Sequence, residues 1–105
     1  MANNELITGI YRVFDEDTGE TFLGFSQNVV GTLKRLRFEL MLNACPNKQL
    51  QKFYTSAKSP KMELIEDVHI LPEMNEYEID ALLRARLYYN RELQGENTKL
   101  IQTEI

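Results

Sequence analysis

Residue types that commonly carry chemistry are few in this chain. There is one histidine, His69, and one cysteine, Cys45. With one of each, neither a multi-histidine nor a cysteine–histidine metal centre can be assembled. His69, set between Val68 and Ile70, reads as a solvent-facing strand residue. Cys45 precedes Pro46 and has no histidine near it in sequence, which makes the reading of it as an activated nucleophile weak. A lone cysteine also rules out an intramolecular disulfide and fits a reducing, cytoplasmic setting. No glycine-rich phosphate loop is present. The chemistry that remains is that of charge. Between Val29 and Met62 stand Lys34, Arg35, Arg37, Lys48, Lys52, Lys58 and Lys61 against the single acid Glu39, a net of +6. The rest of the chain holds five basic and fifteen acidic residues, a net of −10. The molecule is therefore expected to be bipolar. Its basic face can meet phosphate, or the acidic face of another copy, or simply water. Lys34, Arg35, Arg37, Lys48 and Lys52 are the nucleic-acid-binding candidates. Phe38, Phe53, Tyr54, Tyr88 and Tyr89 are expected mostly in helix packing; stacking on bases would need them exposed.

These residues have to be positioned by a small scaffold. At 105 residues, 43% hydrophobic and 27% charged, the chain suits one domain over residues 1–105, with a core at about 7–92 and a tail at 93–105. No apolar run approaches the ~20 residues of a membrane span, and the start MANNELITG lacks the basic-then-apolar pattern of a signal peptide. Ile7 to Phe14, rich in β-branched and aromatic residues, predicts a strand. The polar cluster Asp15 to Glu20 contains Gly19 and predicts a turn, and Thr21 to Phe25 a second, antiparallel strand. Asn28 or Ser26 can cap a helix whose apolar face is Val29, Leu33, Leu36 and Leu40. Gly31 sits inside it at a cost of roughly 1 kcal/mol relative to Ala. Asn47 caps a second helix reaching about Ser56, with Leu50, Phe53 and Tyr54 toward the core. Lys61 to Leu71 predicts a third strand of roughly eight residues. A last long helix starts at Asn75 or the residue before it, buries Ile79, Leu82, Leu83, Leu87 and Tyr89, and stops at Gly95. Residues 96–105 read either as loose or as an edge strand through Lys99-Leu100-Ile101. The expected class is α+β: a small antiparallel sheet (a hairpin plus a third strand) packed with about three helices, in the order β-β-α-α-β-α.

Gly9-Ile10-Tyr11 lies in the first strand, and Phe22-Leu23-Gly24 in the second. This pair resembles the two triplets that name the GIY-YIG nuclease family, with Phe for Tyr and Leu for Ile in the second. Gly24-Phe25-Ser26-Gln27-Asn28 resembles the family's passage into its first helix. Asn47-Lys48-Gln49-Leu50-Gln51 resembles its Asn-x-x-Leu-Gln at the second. The resemblance covers Gly9 to about Tyr89 and agrees in element order.

Active members of that family cut phosphodiesters with one divalent metal. Triplet tyrosines help to activate water. An arginine four residues after the capping Asn steadies the phosphate, and a histidine or tyrosine one turn on often assists. A glutamate on the last helix holds the metal. Hard cations take carboxylate oxygen and developing phosphate charge takes a guanidinium. In this chain the resemblance puts Phe22 at the second tyrosine, Thr32 at the arginine, Leu36 at the assistant and Leu83 at the glutamate. Tyr11 alone matches. A site rebuilt from Tyr11, Arg35 and Asp80 would need two separate one-turn relocations. The resemblance thus implies a retained scaffold with no catalytic residues, no metal ligand and no cofactor, Mg or Mn entering only if the chain were active. Leu36 and Leu83 imply a former cleft closed as core or turned into an apolar contact surface. The expected role is protein interaction or self-association; binding of nucleic acid by a nuclease descendant is the alternative.

Overall fold

In the computed structural model, residues 6–101 are described. The strands are β1 (Gly9–Asp15), β2 (Thr21–Ser26), β3 (Pro60–Asp67) and β4 (Thr98–Leu100), and the helices α1 (Val29–Met41), α2 (Lys48–Ser56) and α3 (Glu76–Gln94). The expected β-β-α-α-β-α order holds. The sheet runs β3-β1-β2-β4. β1 pairs antiparallel with both β2 and β3, bringing Tyr11 opposite Gly24 on one side and Leu64 on the other. The tail supplies the edge-strand alternative: β4 runs parallel to β2, with Phe22 opposite Lys99, which makes the sheet mixed rather than purely antiparallel.

Strand bounds differ from expectation for local reasons. The Ile7 carbonyl accepts from Val29 N–H at 2.8 Å. It is therefore spent on the start of α1, and β1 begins two residues later. β3 stops at Asp67 because its partner strand ends at Gly9. Past that point a single bond, Val68 N–H to the Thr8 carbonyl at 2.7 Å, continues the contact. His69 is exposed as expected but lies beyond the strand, not on it.

Caps follow the sequence closely. Asn28 Oδ1 accepts from Gly31 N–H at 3.1 Å and Ser26 Oγ accepts from Asn28 N–H at 2.8 Å, so both candidate residues serve the α1 terminus. Asn47 Oδ1 accepts from Leu50 N–H at 3.0 Å. Asn75 and Glu78 form a reciprocal capping box at the start of α3, satisfying two orphan backbone donors together. Gly95, with φ of 100°, ends that helix, a conformation glycine adopts without a Cβ clash.

Strand alternation sends successive side chains to opposite faces, and the sheet therefore separates two apolar layers. On one side Tyr11, Val13 and Phe22 pack with Val29, Leu36 and Leu40 of α1, and Leu50 and Phe53 of α2. On the other side Ile10 and Leu23 pack with Ile79, Leu83 and Leu87 of α3 and with Val68. Tyr89, expected on the buried side of α3, is 50% exposed; Asn90 takes the fourth buried place.

Candidate functional site

The first layer brings three of the five motif positions together. Tyr11, Phe22 and Leu36 come from β1, β2 and α1 and are 2%, 2% and 5% exposed. The Phe22 ring lies 5.1 Å from that of Phe53 in a tilted pair. Thr32 adjoins them at the start of α1, where its hydroxyl is 2.7 Å from the Ser26 hydroxyl. Leu83 is not part of this group. It is 1% exposed in the layer built by α3, beyond the sheet. A common cleft lined by all five positions is therefore not formed. Ile10 and Tyr11 are neighbours and must face opposite ways, and α3 covers the Ile10 face.

Burial governs the electrostatics of the remaining tyrosine. Desolvation pushes the Tyr11 phenol up to about 12; nearby Arg35 offsets this in part and Cys45 adds to it. Such a phenol stays neutral across the physiological range and is poorly placed to take a proton from water. Arg35 ε-nitrogen lies 3.7 Å from a Glu39 carboxylate oxygen one turn on. Asp80 accepts from Arg84 at 2.8 Å. Arg35 and Asp80 thus belong to helices on opposite faces of the sheet and each has a partner of its own. The side chains at the motif positions do not fit a divalent cation: Leu83 offers no side-chain oxygen, and among the described residues no cluster of three or more His, Cys, Asp or Glu side chains could hold a metal ion. What opens beside Leu36 is a recess of about 240 Å³ floored by Leu36, Cys45, Leu50 and Ile101, with Arg35, Glu39 and Asn47 at its polar margin.

The five basic candidates are spread over several surfaces. Lys34 and Arg37 share a depression on the outer face of α1 with Val30, Leu33, Phe38 and Met41. Lys52 lines another depression, with Glu20, Phe22 and Lys99. Lys48 is exposed at the start of α2. Among the aromatic residues, Phe53 is buried, but Phe38, Tyr88 and Tyr89 are 64%, 42% and 50% exposed, contrary to the expectation of helix packing. Arg91 and Arg86 lie over the Tyr88 and Tyr89 rings at 5.3 and 4.5 Å.

Two polar groups escape sequence reasoning. Gln51, 8% exposed, bridges the α1–α2 connection: its Oε1 accepts from Cys45 N–H at 3.1 Å and its Nε2 donates to the Leu40 carbonyl at 3.2 Å. On the far side, Glu66 of β3 accepts from Arg86 Nε and from Asn90 Nδ2, both at 2.8 Å. The only sequence signal for Gln51 is its place in the Asn-x-x-Leu-Gln string, and none marks Asn90.

The antiparallel core of the sheet, its two helical layers and the placement of both triplets on β1 and β2 define a GIY-YIG-like α+β fold. Among solved structures the chain is similar to the catalytic domain of homing endonuclease I-TevI, with a TM-score of 0.67 and 17% sequence identity over 91% of this chain and 99% of that one. No protein-family model matches the chain, and no curated protein matches it. No helix among the described residues is long and apolar enough to cross a membrane.

Proposed function

We propose that this chain is a catalytically inactive GIY-YIG-like domain that works as a protein interaction or self-association module. The observation that carries the reading is the burial of Tyr11, Phe22 and Leu36 in one continuous apolar layer with α1 and α2. Phosphodiester cleavage needs solvent and phosphate at the reacting groups, and a cation or guanidinium to take developing charge. Thr32 and Leu83 supply neither, and loss of one such group costs about 3–4 kcal/mol of barrier. The test is incubation of supercoiled plasmid with the protein and Mg or Mn. The reading predicts no nicking above background, and metal-dependent nicking abolished by Tyr11→Phe would overturn it.

A second reading, nucleic-acid binding by a nuclease descendant, is favoured by one juxtaposition: Lys34 and Arg37 flank the exposed ring of Phe38. Phosphate-driven binding weakens steeply with added salt, so the reading predicts retention of DNA at low salt that disappears near physiological salt. Absence of retention at low salt removes it.

A further inference from the structure

Resting on the interaction-module reading, we propose that the outer stripe of α1 is the docking surface for a second copy of this chain, and that it receives the acidic end of α3. Val30, Leu33, Lys34, Arg37, Phe38 and Met41 recur at one helical face, three and four residues apart. They line a depression of about 470 Å³. Val30, Phe38 and Met41 are 48%, 64% and 67% exposed, an apolar surface of the kind that marks an interface rather than a solvated helix face. Lys34 and Arg37 carry no ion pair among the described residues. Two such stripes packed on one another would leave Lys34 and Arg37 without acidic partners.

The complement lies on the same molecule. Across residues 71–83 there are four acids and no base. Leu71 and Tyr77 are 45% and 83% exposed, and Glu73, Glu76 and Glu78 stand among them on the surface. The β1–β2 turn is also acidic, but it carries no large exposed apolar side chain, whereas Leu71 and Tyr77 accompany the acids at the start of α3. The starts of the two helices adjoin: Gln27, just before α1, donates to Glu76 Oε1 at 3.2 Å. One two-fold axis can therefore satisfy both contacts at once, each stripe taking the other copy's acidic end. A two-fold closes the assembly at a dimer, where a head-to-tail contact would build rings or filaments. A polyanion fits less well, since its phosphates would meet an apolar floor on a protein of net charge −4.

The experiment uses exposed positions. Lys34→Glu/Arg37→Glu reverses the stripe, and Glu73→Lys/Glu76→Lys reverses the α3 end. Sedimentation velocity over a concentration series should show a dimer of the full chain. Like charges set face to face cost several kcal/mol, so each variant alone should self-associate roughly a hundredfold more weakly and, with unchanged circular dichroism, run as a monomer. Mixed one to one, the two variants pair a native contact with a charge-swapped one, and the dimer should return. A monomeric full chain, variants that dimerise like the parent, or a mixture that stays monomeric overturns the proposal. So does salt-sensitive DNA retention that the stripe variant loses while the parent is monomeric, which would assign the stripe to nucleic acid. None of these results involves cleavage; the inactive-module reading fails separately, by metal-dependent nicking.

Discussion

Tyr11 and Leu83 lie on opposite faces of one sheet. Tyr11 leaves β1 toward α1 and α2, and Leu83 comes from α3 onto the face occupied by Ile10 and Leu23. Both are nearly inaccessible, at 2% and 1%. The two positions therefore serve separate apolar layers and share no reacting volume.

A carboxylate at Leu83 tests that placement. Leu83→Ala should cost about 2–5 kcal/mol through lost burial and the cavity it leaves. Leu83→Glu should cost at least about 3 kcal/mol, because an unpaired charge would stand in the α3 layer. Urea denaturation measures both. If Leu83→Glu is tolerated and confers metal binding, the position faces a polar site after all.

Gly9, the first residue of the family-like triplet, is held by geometry rather than chemistry. A Cβ there would sit 2.0 Å from the Glu66 carbonyl oxygen, close to the irregularity in the β1–β3 register at Ile10 and Tyr11. Backbone cannot swing aside as a side-chain tip can. Gly9→Ala should destabilise by about 1–3 kcal/mol, the usual range for overpacking, seen as a lower urea midpoint with an unchanged slope. An unaltered midpoint would remove the packing explanation of the triplet.

Packing of this kind explains why the fold was legible in the sequence. Gly9 admits β3, Ile10 and Leu23 fill one layer, and Tyr11 and Phe22 fill the other. The triplets thus carry packing information. Caps at Asn28, Asn47 and Asn75 were readable because a short side chain satisfies adjacent backbone donors. The exposure of Phe38 and Tyr89 was not readable. Whether a helical aromatic faces core or solvent depends on where the sheet lies, and periodicity alone does not say. Gly31 is a related case: a Cβ would meet Asn28 Nδ2 at 2.6 Å, so the propensity gain expected of alanine would be set against the cap.

Gln51 offers a prediction that periodicity could not supply. Its amide joins the α1–α2 connection to the end of α1 through Cys45 N–H and the Leu40 carbonyl. Gln51→Ala leaves the buried Cys45 N–H without its acceptor, while the Leu40 carbonyl keeps the Asn43 N–H at 3.2 Å, a loss of about 1–3 kcal/mol. For a domain near this size each kcal/mol lowers Tm by roughly 4–8 °C. A melting temperature unmoved within a degree would show that water replaces the amide.

Tyr11 itself gives the most direct test that this triplet position is closed as core. Its phenol is held near 12 by burial, against about 10 for a free tyrosine. The folded state thus favours the neutral form. Its contribution is complete below pH 10 and is lost as pH rises from 10 toward 12, by up to about 1.4 kcal/mol per unit; Tyr11→Phe should lack that loss. The decisive measurement is the tyrosine Cζ carbon resonance followed by NMR against pH. Tyr11 should remain un-ionised in the folded protein past pH 11. Ionisation of Tyr11 at or below about 10 would mean a solvated, polar pocket around it and would contradict the account.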